Sequence, residues 1–261
     1  MEVLIIKILV CFLAGAGAGI GTGFAGLSAA AVISPMLITF LDMPAYEAVG
    51  IALASDVLAS AVSAYTYKRN GNLDIKNGMI MMLTVLAFTL FGSYIASVVP
   101  NKTMSGFSVV MTFFLGVKFI VKPVMTTKET MEKLDGRAKI VKSVIFGILI
   151  GFICGFIGAG GGMMLLLALT TVLGYELKTA VGTSVFIMTF TALTGSAGHF
   201  ALGGMPDIIC LVLCIFFTFI FARMAALFAN KSDAKTLNRV TGAVLMVLGV
   251  VIMGFKILNK Q

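Results

Sequence analysis

Glycine is densest in this sequence at residues 158–162, where Gly158, Gly160, Gly161 and Gly162 flank a single alanine. Each glycine destabilises a helix by ~1 kcal/mol relative to alanine, so we interpret the stretch as unwound backbone. A helix that resumes after such a break presents free N–H groups and a positive dipole end, which together bind anions. The glycines therefore predict an anion site built from backbone.

A weaker counterpart of this stretch lies at residues 22–28. Its candidate ligands are Thr22, Gly23, Gly26 and Ser28, and we expect unwound backbone from Thr22 to Gly26. Unwound backbone is tolerated at membrane depth only where it lines a cavity or is buried in protein. Two such breaks aimed at one point would hold an anion without any buried lysine.

Asp56 is an ionisable residue near the middle of an apolar segment, ~17 Å from its start at 1.5 Å per residue. Such a residue is a functional candidate by default. An apolar environment favours the neutral form of a carboxyl group, so we hypothesise that Asp56 binds and releases a coupling proton. Two alternatives stay open: a neutral carboxyl bonded to nearby backbone, and an ionised one paired with the amine of a zwitterionic substrate.

Hydroxyl and aromatic side chains supply further candidates. Thr183 and Ser184 could line a substrate path, although hydroxyls in membrane helices often bond to their own backbone. Tyr67 and His199 lie near opposite ends of their segments, which suits two gates. The alternative for both is an anchor at the membrane interface.

The composition requires a membrane protein. Of the 261 residues, 59% are hydrophobic and 11% are charged, against roughly 25% charged in soluble domains. The net charge of +8 resides mainly in short loops, so we expect a lipid bilayer and no nucleic acid as partner. Ten apolar segments recur along the chain, at 3–20, 24–41, 45–67, 76–98, 104–122, 142–157, 160–174, 177–202, 206–228 and 238–258.

The two halves of the chain repeat each other in one constant register. Gly15, Gly19, Gly23, Phe24 and Gly26 correspond to Gly147, Gly151, Gly155, Phe156 and Gly158, and the register continues without a gap to Gly50 and Gly182. We predict a first repeat at 1–122, a linker at 123–141 and a second repeat at 142–261. Some of these glycines could instead form small-residue ridges that let helices touch.

Five segments per half is an odd number, so the second half starts on the side opposite to the first. The predicted fold is therefore an all-α polytopic membrane protein with two inverted-topology repeats of five segments each. The first two segments of each repeat are short and glycine-hinged, and are either two crossings or a re-entrant hairpin.

Basic residues determine the orientation, because they concentrate in cytoplasmic loops. With the linker in the cytoplasm, 15 of the 19 basic residues lie inside and both termini are extracellular. The residues placed inside are Lys68, Arg69, Lys76, Lys118, Lys122, Lys128, Lys133, Arg137, Lys139, Lys142, Lys178, Arg223, Lys231, Lys235 and Arg239.

Four motifs of the second half resemble the TauE/SafE sulfite exporter family. They are Gly155-Phe156-x-Gly158-x-Gly160-Gly161-Gly162, Thr179-Ala-Val-Gly-Thr-Ser184, Ser196-Ala-Gly-His199 and the Gly203-Gly204 turn. The resemblance covers nearly the whole chain. It implies transport of small sulfur-containing or related organic anions, often outward, across the cytoplasmic membrane. The first half departs from the pattern, with Gly50-Ile51-Ala52 in place of Gly-Thr-Ser and Tyr67 in place of the histidine.

These observations predict a secondary carrier of a small organic or sulfur-containing anion that works by alternating access. A passive anion channel is the alternative, since it could use the same helix ends. We expect no enzyme, because the single histidine has no cysteine or carboxylate placed near it in sequence. We also expect no cofactor and no metal, since the four cysteines lie in apolar segments as small hydrophobes.

Overall fold

The computed structural model describes residues 2–97, 117, 120–123, 125–127, 136–157, 161–203 and 205–258. Within these ranges the regular structure is entirely helical. The helices are α1 (Glu2–Ala25), α2 (Ala30–Leu41), α3 (Ala45–Arg69), α4 (Ile75–Ser97), α5 (Gly136–Ile157), α6 (Gly161–Leu167), α7 (Leu177–Gly203), α8 (Ile208–Lys231) and α9 (Ala234–Leu258). A π-helical turn, Ala168–Val172, follows α6 directly.

Four helices in the described part of the chain are long and apolar enough to cross a membrane. These stretches are Leu4–Ala25, Tyr46–Arg69, Leu177–Ala201 and Ile208–Lys231. Large apolar side chains are exposed on their outer faces, for example Leu9, Tyr65 and Val212. In water such surfaces would be costly, whereas in lipid they are favourable. The chain is therefore an all-helical, multi-pass membrane protein.

Several predicted boundaries need correction. α1 continues through Thr22 and Gly23 to Ala25, so the first break lies at residues 26–29 and not at 22–26. α5 begins at Gly136, inside the predicted linker, and α6 begins at Gly161, so Gly161 and Gly162 are helical. Gly158, Gly160 and most of segment 104–122 lie outside the described residues.

The first break is made by Gly26, whose φ of +62° is a conformation that side-chain-bearing residues rarely adopt. Its N–H bonds to Thr22 O at 3.0 Å and closes the end of α1. α2 then carries Pro35 in its interior, which removes one helical hydrogen bond. α2 and α6 are both much shorter than the ~20 residues that span a bilayer.

The most extensive helix contacts join the two halves of the chain: α1 with α8, α4 with α5, and α3 with α7. Glycines let the first two pairs touch backbone to backbone. A Cβ atom on Gly19 would lie 2.6 Å from Thr218 O, and one on Gly151 would lie 2.5 Å from Val85 O. The ridge interpretation is thus confirmed for Gly15, Gly19, Gly23, Gly147 and Gly151, all of which lack room for a side chain.

Polar contacts define two ends of the helix bundle. At the first, the Asp207 end, Lys7 of α1 pairs with Asp207, and Asp207 N donates to Glu47 Oε1 at 2.7 Å. At the second, the Asp74 end, Tyr175 Oη donates to Asp74 Oδ2 at 2.6 Å. α3 and α7 run between these ends in opposite directions.

Candidate substrate and coupling site

Asp56 lies halfway along α3 and faces the break between α1 and α2. It is 1% exposed, and its Oδ2 accepts a hydrogen bond from Ser28 Oγ at 2.7 Å. Ser28 Oγ in turn accepts from Ala30 N at 3.3 Å, and the Ala29 N–H also interacts with the Asp56 carboxyl group. The carboxyl group therefore occupies the N-terminal end of α2, where the helix dipole favours negative charge.

The second carboxyl oxygen, Asp56 Oδ1, is buried and accepts no hydrogen bond from the described residues. No cationic side chain in the same ranges pairs with the carboxyl group. Burying an ionised carboxylate with one oxygen that accepts no hydrogen bond costs much free energy, whereas burying a neutral carboxyl group costs much less. Asp56 Oδ1 is thus the oxygen that would carry the proton if the carboxyl group were neutral.

Several polar groups at the end of α1, just before the first break, are bonded within the protein. Thr22 Oγ1 donates to Ala18 O at 2.9 Å and to Leu27 O at 2.8 Å. Gly23 O accepts from Tyr67 Oη at 2.9 Å, and Leu27 N donates to Gly21 O at 3.3 Å. The predicted ligands Thr22 and Gly23 therefore serve the end of α1 here, and only Ser28 contacts Asp56.

The first break lies against the start of α6. A Cβ atom placed on Gly162 would lie 2.3 Å from Gly26 O, 2.6 Å from Met188 Sδ and 3.1 Å from Ser28 N. Ser184 approaches from α7, because a Cβ atom on Gly26 would lie 2.1 Å from Ser184 Oγ. Four of the predicted site residues, Gly26, Ser28, Gly162 and Ser184, are thus brought together.

Thr183 lies away from this group, at the Asp74 end. Its Oγ1 accepts from Asp74 N at 3.2 Å, and its methyl group touches the position of Gly78. This contact belongs to the start of α4 and not to either break. Of the predicted substrate ligands, the structure therefore separates Thr183 from Ser184.

The predicted gates contact glycines of the partner helix. Tyr67 is fully buried near the Asp74 end and lies against Gly182 of α7. His199, near the Asp207 end, lies against Gly50 of α3, and its ring contacts the Tyr46 ring at an interplanar angle of 41° with centroids 4.3 Å apart. Gating by either residue stays a prediction.

Sequence reasoning missed the polar networks at both ends. At the Asp74 end, Asn72 Nδ2 donates to Asn230 Oδ1 at 2.6 Å and Lys178 Nζ donates to Asn230 O at 3.0 Å. Residues far apart in the sequence form these contacts, so no local pattern signals them. The contacts of Gly50 and Gly182 with the predicted gates could have been anticipated, because the sequence repeat already aligned these two glycines.

The Asp207 side chain has two roles at the opposite end. Its carboxylate caps α8 by accepting from Cys210 N at 3.0 Å, and it also pairs with Lys7. Burial raises the pKa of Asp207, but the hydrogen bonds from Lys7 and from Cys210 N outweigh burial, so the pKa lies below its usual value. The carboxylate is thus charged at neutral pH and ties α1 to α8.

No group of three or more His, Cys, Asp or Glu side chains in the described ranges is arranged to hold a metal ion. Cys11, Cys210 and Cys214 are buried, free thiols between α1 and α8. The chemistry available at the breaks is therefore that of backbone amides, hydroxyls and the Asp56 carboxyl group.

Comparison with known proteins gives one family match and several relatives. Residues 11–252 match the family described as "Sulfite exporter TauE/SafE". A "Probable membrane transporter protein YdhB" of Bacillus subtilis is 26% identical, with 85% of this chain and 89% of the relative covered. "Probable membrane transporter protein YunE" of the same organism is 21% identical over 95% of each chain.

A "Probable membrane transporter protein" of Haemophilus influenzae is 25% identical, covering 93% of this chain and 97% of the relative. No solved structure matches this chain significantly. The family match covers far more than half of the chain and confirms the resemblance seen in its motifs. The chain therefore belongs to the TauE/SafE sulfite exporter family of membrane transporters.

Proposed function

We propose that this chain is a secondary carrier that exports a small organic or sulfur-containing anion, such as sulfite or a sulfonate, by alternating access. Asp56 is its proton-coupling residue. The observation that carries the proposal is the position of this carboxyl group: buried in mid-helix, with one oxygen that accepts no hydrogen bond from the described residues, and bonded to Ser28 in the first break. The family's description names sulfite export.

The coupling follows from competition for one helix end. An ionised Asp56 occupies the positive end of α2, and it repels a second anion at the adjacent start of α6. A neutral Asp56 removes this repulsion and releases the helix end. Proton and substrate anion therefore load together and travel in the same direction, so export requires an outward substrate gradient that exceeds the opposing proton gradient.

Inverted repeats supply the machinery for alternating access. Three observations support them: α3 and α7 begin at aligned positions of the two halves, the strongest helix contacts join these halves, and the two hairpins open towards opposite ends. α1 and α2 start and finish at the Asp207 end, where Lys7 and Glu47 meet Asp207. Lys142 of α5 bonds to Val172 O after α6, next to Tyr175 at the Asp74 end.

The basic residues Lys68, Arg69, Lys76 and Lys178 surround the Asp74 end, which we therefore place in the cytoplasm. The Asp207 end and both termini are then extracellular, and the chain resides in the cell membrane. Its partners are a small anionic substrate, the lipid bilayer and protons.

The test is transport into proteoliposomes, with sulfite, methanesulfonate and a zwitterionic aminosulfonate as probes. An inward proton gradient should drive accumulation by the unchanged protein. Asp56→Asn mimics the neutral carboxyl group, so it should retain substrate counterflow but lose accumulation driven by the proton gradient. Asp42→Asn is the matched control, because it removes a carboxylate from an exposed loop position, and it should behave as the unchanged protein.

Each alternative has its own outcome. Flux without counterflow would indicate the anion channel. Loss of binding only for zwitterionic sulfonates would mean that Asp56 stays ionised and pairs with an amine. Normal proton-driven transport by Asp56→Asn would remove the coupling role altogether.

A further inference from the structure

The two glycines that the repeat aligns, Gly50 and Gly182, contact the two aromatic side chains that it also aligns. Gly50 of α3 touches His199 of α7, with 3.3 Å between an added Cβ and the histidine Cβ. Gly182 of α7 touches Tyr67 of α3, where the corresponding distance is 2.8 Å. Each contact joins the same two helices, one towards the Asp207 end and one towards the Asp74 end.

The two contacts are not equally tight. At Gly182 an added Cβ would also lie 2.0 Å from Asn72 O, so no side chain fits. At Gly50 the shortest distance is 3.2 Å, to the Phe200 ring, which a small adjustment can relieve. A pocket of ≈ 60 Å³ lies beside Gly50, lined by Tyr46, Glu47 and His199 among others.

The Asp74 end is sealed by further contacts around Gly182. Tyr67 is 0% exposed and its hydroxyl bonds to Gly23 O at the end of α1. Asn72, whose carbonyl touches Gly182, bonds through its side chain to Asn230 at the end of α8. In this conformation the Asp74 end is closed and the Asp207 end is less tightly packed.

We propose that Gly50 and Gly182 form a reciprocal pair that decides which end of the carrier opens. The absence of a side chain at Gly182 lets Tyr67 and Asn72 close the Asp74 end. In the alternate state the same absence at Gly50 lets His199 close the Asp207 end. This inference rests on the alternating-access carrier proposed above. A larger residue at either glycine strains one state and spares the other, so it shifts the populations.

The test measures access to the Asp74 end with a single reporter cysteine, Ser63→Cys, in a background without the four native cysteines. Ser63 is 0% exposed, lies one turn before Tyr67, and its hydroxyl has no hydrogen-bond partner in the described residues. Inside-out membrane vesicles are treated with a charged, membrane-impermeant thiol reagent, and the rate of labelling is recorded. No substrate is needed.

Gly182→Ala should raise the labelling rate about tenfold, because overpacking that costs about 1.4 kcal/mol changes a population tenfold. Gly50→Ala should lower the labelling rate, since it strains the state in which the Asp74 end is open. Gly198→Ala is the matched control on α7, because nothing lies within 4 Å of its added Cβ, and the rate should not change. If Gly182→Ala does not fold, Tyr67→Ala removes the same contact without adding atoms and should also raise the rate.

Opposite effects of Gly50→Ala and Gly182→Ala would support the reciprocal pair, since simple destabilisation predicts no such opposition. Equal effects, or no effect in folded protein, would overturn it. If the labelling rates do not change as expected while Asp56→Asn behaves as expected, the gate is refuted and the proposed carrier is not affected. Opposite labelling effects without proton-driven transport would leave the gate standing and refute the coupling.

Discussion

Gly162→Ala is the most direct perturbation of the crossing, which is the point where the start of α6 contacts the first break. Its added Cβ would lie 2.3 Å from Gly26 O, and Cβ atoms essentially never come closer than 3.0 Å to another atom. The carbonyl must therefore move by ~0.7 Å. Met188 Sδ, at 2.6 Å, can move more easily because its side chain is flexible.

We expect the overpacking to cost about 1–3 kcal/mol, towards the upper part of that range because Gly26 O is backbone. For a chain of this size this corresponds to a fall in Tm of roughly 2–12 °C. The displaced break also carries Ser28 and hence the contact with Asp56. A misplacement approaching 1 Å at a reacting site can cost about a hundredfold, so transport per folded molecule should fall at least tenfold.

The assay pairs thermal unfolding in detergent with proton-driven methanesulfonate uptake, normalised to folded protein. Gly19→Ala is the control for a general loss of stability. Its added Cβ would lie 2.6 Å from Thr218 O and 2.7 Å from Ala222 N, which is a clash of similar severity to that at Gly162. It lies on the contact between α1 and α8, away from the crossing. It should lose similar stability but retain transport. Equal transport by both folded variants would refute a functional role for the crossing.

Two further predictions concern topology and pH. Single cysteines in place of Lys68 and Met205, both exposed, should label from opposite sides of the membrane, with Met205 reached from outside intact cells; labelling of both from one side would contradict the inverted arrangement. The pKa of Asp207 is lower in the folded protein than in the unfolded chain, where it is about 3.9. The ionised carboxylate therefore stabilises the fold fully above this unfolded-state pKa, and the stabilisation is lost as the pH falls through the lower folded-state pKa. Asp207→Asn keeps a capping side chain but removes the charge, so the free energy of unfolding should fall by at most about 1 kcal/mol at pH 7. In a thermal unfolding series the variant should lose less stability at acid pH than the unchanged protein. An unchanged dependence of Tm on pH would exclude this role.

The helices were largely predictable because hydrophobic length and loop residues are local signals. Segment 45–67 corresponds to Ala45–Arg69, and segment 177–202 to Leu177–Gly203. The first break was placed too early, since Gly23 was interpreted as a hinge residue. Its real function is to admit Ala222 and Ala225 of α8, a contact between distant parts of the chain that no local pattern contains.

The candidate site was predictable in its residue types but not in its pairing. Asp56 was recognised by its depth alone, whereas its bond to Ser28 depends on how α2 folds back beside α3. Because of this fold, the Asp56 carboxyl group occupies the N-terminal end of α2, where the sequence had predicted a bound substrate anion. The predicted inverted repeats suggested which helices could meet, but not which side chains fill the space between them.

The glycine seams between α1 and α8 and between α4 and α5 have a consequence for how the molecule is divided. Each seam joins one helix from either half with backbone in contact, and we predict that each pair moves as one stiff body. The unit that moves would then differ from the predicted sequence repeat. A chain cut between residues 123 and 135 would yield two fragments that each expose a glycine-lined groove shaped for the other. The fragments should regain activity only when produced together.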